Sequence, residues 1–153
     1  MNAAIDRNLS EADKKARDVG RVIAFANSDN GVKVNGYYRT ASLRFERHER
    51  QIAKLEGEAR TLPLRRDVLN ERQSKIRDEM VATLMYYDKR AGDVVKASGK
   101  ELEAITNTTN RASFEQKQMA IDVHEELRGV YERRENALQD TYRNLWSRLN
   151  KIK

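Results

Sequence analysis

Between Tyr38 and Leu62 the seam residues fall at Tyr38, Ala41, Phe45, His48, Ile52, Leu55, Ala59 and Leu62. The steps alternate three and four. A repeat of about 3.5 residues places one narrow stripe along one side of a helix, and such a stripe needs a second helix to cover it. The spacing recurs at Ala12, Ala16, Val19, Ile23 and Ala26. It returns at Leu69, Ile76, Met80, Leu84, Tyr87, Ala91, Val94, Leu102 and Ile105. A last stripe runs through Met119, Val123, Leu127, Val130, Leu138, Tyr142, Leu145, Leu149 and Ile152. The pattern predicts an all-α chain, an elongated helical bundle or antiparallel coiled-coil hairpin of three to four helices.

The breaks divide this single helical unit of residues 1–153 into helices at about 11–26, 40–60, 64–105 and 111–152. Ser10 is a suitable N-cap for the first, with Asp13 three residues on. Asn27-Ser28-Asp29-Asn30-Gly31 is a turn cluster, and Asn35-Gly36 lies between β-prone residues, a strong hairpin signal. A loop or small hairpin is therefore expected near residues 27–38. Pro63 removes an amide donor and predicts a connection near Thr61 to Leu64. Ser98-Gly99-Lys100-Glu101 resembles a capping box, so the third helix either restarts near 98 or runs on through Gly92 and Gly99. Thr106 to Asn110 is a poor helix former and suits a turn.

Composition fits narrow helical cores with much surface: 35% of the 153 residues are charged and 39% hydrophobic, and the mean hydropathy is −0.88. There is no cysteine, which excludes disulfides and thiolate chemistry. The net charge of +6 is spread thinly, at +3 for residues 1–63, +1 for 64–105 and +2 for 106–153. A dedicated nucleic-acid surface gathers its cations on one face. Met1 to Ser10 has no apolar core of a secretion signal, and no window reaches the ~18 apolar residues of a membrane span. The reading places the chain in the cytoplasm or within a virion.

Catalytic and metal-binding patterns are not met. Each of the two histidines has an apolar residue three positions before it, Phe45 for His48 and Ile121 for His124, where a di-iron helix needs Glu. Gly99-Lys100 lacks the hydroxyl and earlier glycine of a phosphate loop. The acidic pairs Asp78-Glu79 and Glu125-Glu126 are adjacent and diverge by about 100° on a helix. No catalytic, metal or cofactor site is assigned and no enzyme activity is expected. His48, on the seam, reads as a satisfied core histidine, with a pH-sensitive helix contact as the alternative. Arg134 falls near the last seam and suits a chain that snorkels to water.

The helix-packing seam is assigned to Tyr38, Ala41, Phe45, Ile52, Leu55, Leu62, Ile76, Met80, Leu84, Tyr87, Met119, Val123, Leu127, Leu138, Leu145 and Leu149. Tyr37, Tyr38 and Trp146 are candidate partner contacts, and Arg143, Arg148, Lys151 and Lys153 candidate phosphate contacts. These assignments point to a non-catalytic structural protein that acts through helix contacts with protein partners or copies of itself. The alternatives are a basic nucleic-acid-associated helical protein, or an adaptor that docks a partner through loop 27–38. In size and composition the chain resembles small coiled-coil stalk proteins of type III secretion and flagellar export, and small helical internal proteins of tailed phages. No motif carries that resemblance, and it implies architecture alone.

Overall fold

The structure, a computed structural model, describes residues 25, 28–107 and 114–153. Regular structure among them is entirely helical: α1 spans Asp29–Thr61, α2 Arg66–Asn107 and α3 Phe114–Asn150. The expected helix at 11–26, apart from Phe25, and the expected turn at 108–110 lie outside the described residues. No described helix is long and apolar enough to cross a membrane.

The loop or hairpin expected at 27–38 is corrected: from Asp29 onward this stretch is helix. The turn-forming residues are the cap of α1. Ser28 Oγ accepts the Gly31 N–H at 3.1 Å and donates to the Phe25 carbonyl at 2.6 Å. Asp29 adds an acidic side chain in the first turn, at the positive end of the helix dipole. A two-residue hairpin turn at Asn35-Gly36 needs positive φ, and no described residue has it. Two short strands alone are marginal in water. A helix instead extends the seam upstream through Val34 and Gly31, both buried. Each interior glycine costs about 1 kcal/mol of helix propensity, which the packing of a 33-residue helix offsets.

Pro63 ends that run. Thr61 Oγ1 donates to the Gly57 carbonyl at 2.8 Å, and Leu62 to Arg65 connect α1 to α2. Leu62, assigned to the seam, falls in this connection and is 54% exposed. α2 then passes through Gly92 and Gly99 without a break. Ser98 does not cap a new helix; its buried hydroxyl hydrogen-bonds His124 Nδ1 on α3 at 3.0 Å.

The chain packs as two units, one of Met1–Lys33 with Val94–Val130 and one of Val34–Asp93 with Tyr131–Lys153. In the second unit α1 and α2 are antiparallel, with Tyr37 opposite Tyr86, His48 opposite Thr83 and Glu58 opposite Arg72. α3 runs back along α2 and parallel to α1, pairing Tyr131 with Tyr87 and Arg148 with Glu56. The core of this unit includes Val34, Ala41, Phe45, Ile52, Leu55, Leu69, Ile76, Met80, Tyr87, Leu138, Leu145 and Leu149. Tyr38 and Leu84 are half-buried at its edge. Gln73 is also buried: its Nε2 donates to the carbonyls of Leu149 and Ile152 at 2.9 and 3.0 Å, closing the C-terminal end of α3. In the other unit Phe25 and Leu127 are buried, while Val123 is half-buried.

The glycines of α1 give opposite expectations. A Cβ at Gly36 meets nothing within 4 Å, so Gly36→Ala should add about 1 kcal/mol to stability. A Cβ at Gly31 would collide with the Phe25 carbonyl, so Gly31→Ala should lower stability by loosening the cap. Thermal melting of both variants against the parent checks the pair.

Candidate functional site

The buried face between α1 and α2 carries a polar relay. His48 and Thr83 are almost wholly shielded from solvent. His48 Nδ1 faces Gln51 Oε1 at 3.1 Å, and Nε2 faces Thr83 Oγ1 at 2.8 Å. Gln51 Nε2 donates to Glu79 Oε2 at 3.1 Å, and Thr83 Oγ1 lies 3.0 Å from the Glu79 carbonyl. The Glu79 carboxylate stands 3.8 Å from His48 Nδ1. With Nδ1 protonated toward Gln51, the Thr83 hydroxyl satisfies Nε2. With both nitrogens protonated, Thr83 accepts from Nε2 and donates to the Glu79 carbonyl. Both proton arrangements are satisfied, so the ring fits as a core histidine. The heptad register, 69-73-76-80-83-87, predicts Gln73 and Thr83 as inward positions; apolar spacing alone points to Leu84, the neighbour of Thr83, which is half-buried.

Five tyrosines gather in the same unit. Tyr37 meets Tyr86 edge-on at 6.1 Å, Tyr38 meets Tyr87 at 6.3 Å, and Tyr87 stacks on Tyr131 at 5.8 Å. The Arg44 guanidinium lies 4.2 Å from the Tyr86 ring centre. Arg134 does not snorkel away from the seam; it covers Tyr38 at 4.4 Å, where cation–π attraction replaces hydration. Tyr87 donates to the Tyr131 carbonyl at 3.1 Å, and Tyr131 Oη donates to Asp88 Oδ1 at 2.5 Å. Burial pushes both phenols above the usual tyrosine range. Burial, and then the nearby Asp88 carboxylate, raises the Glu135 carboxyl.

The residues assigned as partner or phosphate contacts have internal neighbours. Tyr37 and Tyr38 belong to the tyrosine cluster. Trp146 packs on Tyr142 at 5.4 Å, with the Arg77 guanidinium 5.3 Å from its ring. Arg148 holds Glu56 in a two-point grip at 2.5 and 3.0 Å and reaches Glu49 at 3.6 Å. That grip keeps the Glu56 carboxyl below its usual range. Arg143 pairs with Asp140 at 3.6 Å in an exposed position. Arg60, Lys151 and Lys153 line a cleft with Glu56 and Arg148, about 420 Å³ in volume. The stretch 27–38, expected as a docking loop, is helix from Asp29 onward.

The unit formed with Val94–Val130 presents an apolar groove of about 310 Å³. Leu102 and Ile105 of α2, Met119, Ala120 and Val123 of α3 and Asn30 of α1 are among the residues that line it. Met119, assigned to the packing seam, is 69% exposed at this groove. Nothing in the 3-4 pattern distinguishes a stripe covered by the chain's own helices from one left open. Among the described residues no group of three His, Asp or Glu is placed to hold a metal ion. The arrangement can pack helices and hold a satisfied buried relay. No family model, no curated protein and no solved structure matches the chain.

Two substitutions probe this interior. Thr83→Val leaves the buried His48 relay short of a partner and should cost about 1–3 kcal/mol, whereas Thr83→Ser should be much milder. Chemical denaturation distinguishes them. Glu135 is held toward its neutral form, so its contribution to stability is present below the unfolded carboxyl value of about 4.3 and is lost as pH rises through its raised folded value. Glu135→Gln should therefore raise the melting temperature at neutral pH, and the gain should vanish near pH ~4.

Proposed function

We propose that this chain is a non-catalytic helical assembly protein that acts through helix–helix contacts as a component of a larger complex. The observation that supports this is the set of large apolar side chains left in water on its helices. Leu43 on α1 is 55% exposed, Met85 on α2 64% and Phe114 on α3 80%. Val81 and Met85 are one turn apart and both exposed. Covering apolar surface favours association by about 25 cal/mol per Å², and a helix stripe is complementary to another helix. A mixed-charge surface lets such contacts form and part without a large field of one sign. In this reading the setting is the cytoplasm or the inside of a virion, and a small phage internal protein or a secretion-type stalk is the kind of assembly it suits.

The test is mass in solution by light scattering behind size exclusion, at low and moderate salt. The expected result is a discrete species heavier than the 17.7 kDa chain. Leu43→Glu and Met85→Glu should return it to monomer with helical content unchanged. A compact monomer at every concentration, indifferent to both substitutions, argues against self-assembly.

One observation favours a second reading, in which the basic cleft takes a phosphate group. Arg60, Lys151 and Lys153 share that cleft, while Arg148 beside them is held by Glu56. Oligonucleotide binding that collapses between low and moderate salt, and weakens in Lys151→Gln, would support it.

A further inference from the structure

We propose that copies of this chain meet head to tail, with the outer face of α1 in one copy laid antiparallel on the outer face of α2 in the next. This pairing rests on the reading of the chain as an assembly protein, and it identifies which two surfaces join. Both faces belong to the unit of Val34–Asp93 with Tyr131–Lys153.

On α1 the buried Ala41, Phe45, His48, Ile52 and Leu55 fill one side. At about 100° per residue, Arg39, Leu43, Arg47, Arg50 and Lys54 fall on the other, and all five are exposed. Among the described residues none of these four cations forms an ion pair. Glu46, at the edge of the stripe, offsets one of them. On α2 the same spacing sets Glu71, Asp78, Ala82 and Met85 opposite the buried Gln73, Ile76, Met80, Thr83 and Tyr87. All four are exposed, with the exposed Val81 beside them and Lys75 at the edge. Neither Glu71 nor Asp78 forms an ion pair among the described residues.

The two faces carry opposite charge in matching order. Arg47 and Lys54 stand 4 and 11 residues after Leu43, and Asp78 and Glu71 stand 4 and 11 residues before Ala82. An antiparallel alignment therefore sets Leu43 among Val81, Ala82 and Met85, Arg47 against Asp78, and Lys54 against Glu71, over about 17 Å. A parallel alignment from the same apolar contact carries Arg50 toward Lys89 and leaves Asp78 and Glu71 unmatched. Laying α1 on α1 sets arginines against arginines. Arg39 and Lys89, one turn beyond the apolar contact, are like charges, so the match ends there. Exposed ion pairs add little affinity; they select the partner face and its direction. The attraction comes from covering Leu43, Val81 and Met85. Because α1 and α2 are antiparallel within each chain, neighbouring copies point the same way. Repetition of such a contact closes a ring or runs on as an open array.

Light scattering behind size exclusion compares the full chain with two charge-reversed variants. One carries Arg47→Glu, Arg50→Glu and Lys54→Glu; the other carries Glu71→Lys and Asp78→Lys. Circular dichroism first establishes that each retains the parent helical content. Where a reversal lowers it, Arg47→Gln with Lys54→Gln, or Glu71→Gln with Asp78→Gln, takes its place and should weaken association. Each reversed variant alone should stay monomeric under conditions where the parent is heavier than one chain. Mixed in equal amounts, the two should associate at concentrations at least about tenfold below those either needs alone. Reversed α1 then meets reversed α2, and the two native faces meet each other. A parent that assembles while both variants assemble equally well would overturn this pairing and leave the assembly reading standing. Loss in only one variant, or no rescue on mixing, would overturn the pairing too. A parent that is monomeric at every concentration would remove the assembly reading and the pairing with it.

Discussion

The rest of the second unit depends on the register of α1 against α2. Apolar side chains alone define that register weakly, because a heptad stripe slipped by seven residues still meets a stripe. The buried relay of His48, Gln51, Glu79 and Thr83 removes the ambiguity. A slip of one heptad would place His48 opposite Ile76 or Arg90 and leave buried polar atoms without partners. An unmet buried donor or acceptor costs about 1–3 kcal/mol, so the slipped pairings are disfavoured several times over. The same register sets Tyr37 against Tyr86 and Tyr38 against Tyr87. Arg44 and Arg134 then close over the rings as a consequence, not as independent features.

α3 joins this pair by polar contacts as much as by its leucines. Arg148 reaches across to Glu56 on α1, and Tyr131 reaches to Asp88 on α2. The two interactions respond to acid and base in opposite senses. The Glu56 contribution is present above the ordinary carboxyl range and is lost as pH falls through its lowered value. The raised phenols of Tyr87 and Tyr131 stabilise the fold below about pH 10, and that contribution fades as alkali ionises tyrosines in the unfolded chain. Between those limits both sets of contacts hold together.

Much of the fold is readable from spacing, and the errors have physical causes. The seam from Ala41 to Leu55 is legible because successive apolar residues fall in one register, and α1 buries Ala41, Phe45, Ile52 and Leu55. Pro63 marks the connection because a missing amide interrupts a helix whatever surrounds it. Asn35-Gly36 misleads because local turn preference is weak beside the packing of a long helix, which the residue pair itself does not reveal. Gln73 and Thr83 are passed over because a polar residue inside a seam becomes sensible only when its partner on another helix is known. Exposure is the least legible property. Met119 and Leu127 continue the same stripe, yet one faces water and the other is buried.

The amide of Gln73 has a consequence for the order in which the molecule completes itself. It holds the carbonyls of Leu149 and Ile152, which are 76 and 79 residues away along the chain. Most helix ends are sealed by neighbours in sequence, early and cheaply. This end has local bonds, with the Ile152 N–H on the Leu149 carbonyl at 3.3 Å, but its further seal comes from a distant helix, and the long closure must precede that bond. The Gln73 seal on the final turn of α3 therefore forms only once α2 and α3 have met. Amide exchange in that turn would track the loss of the whole unit instead of fraying on its own.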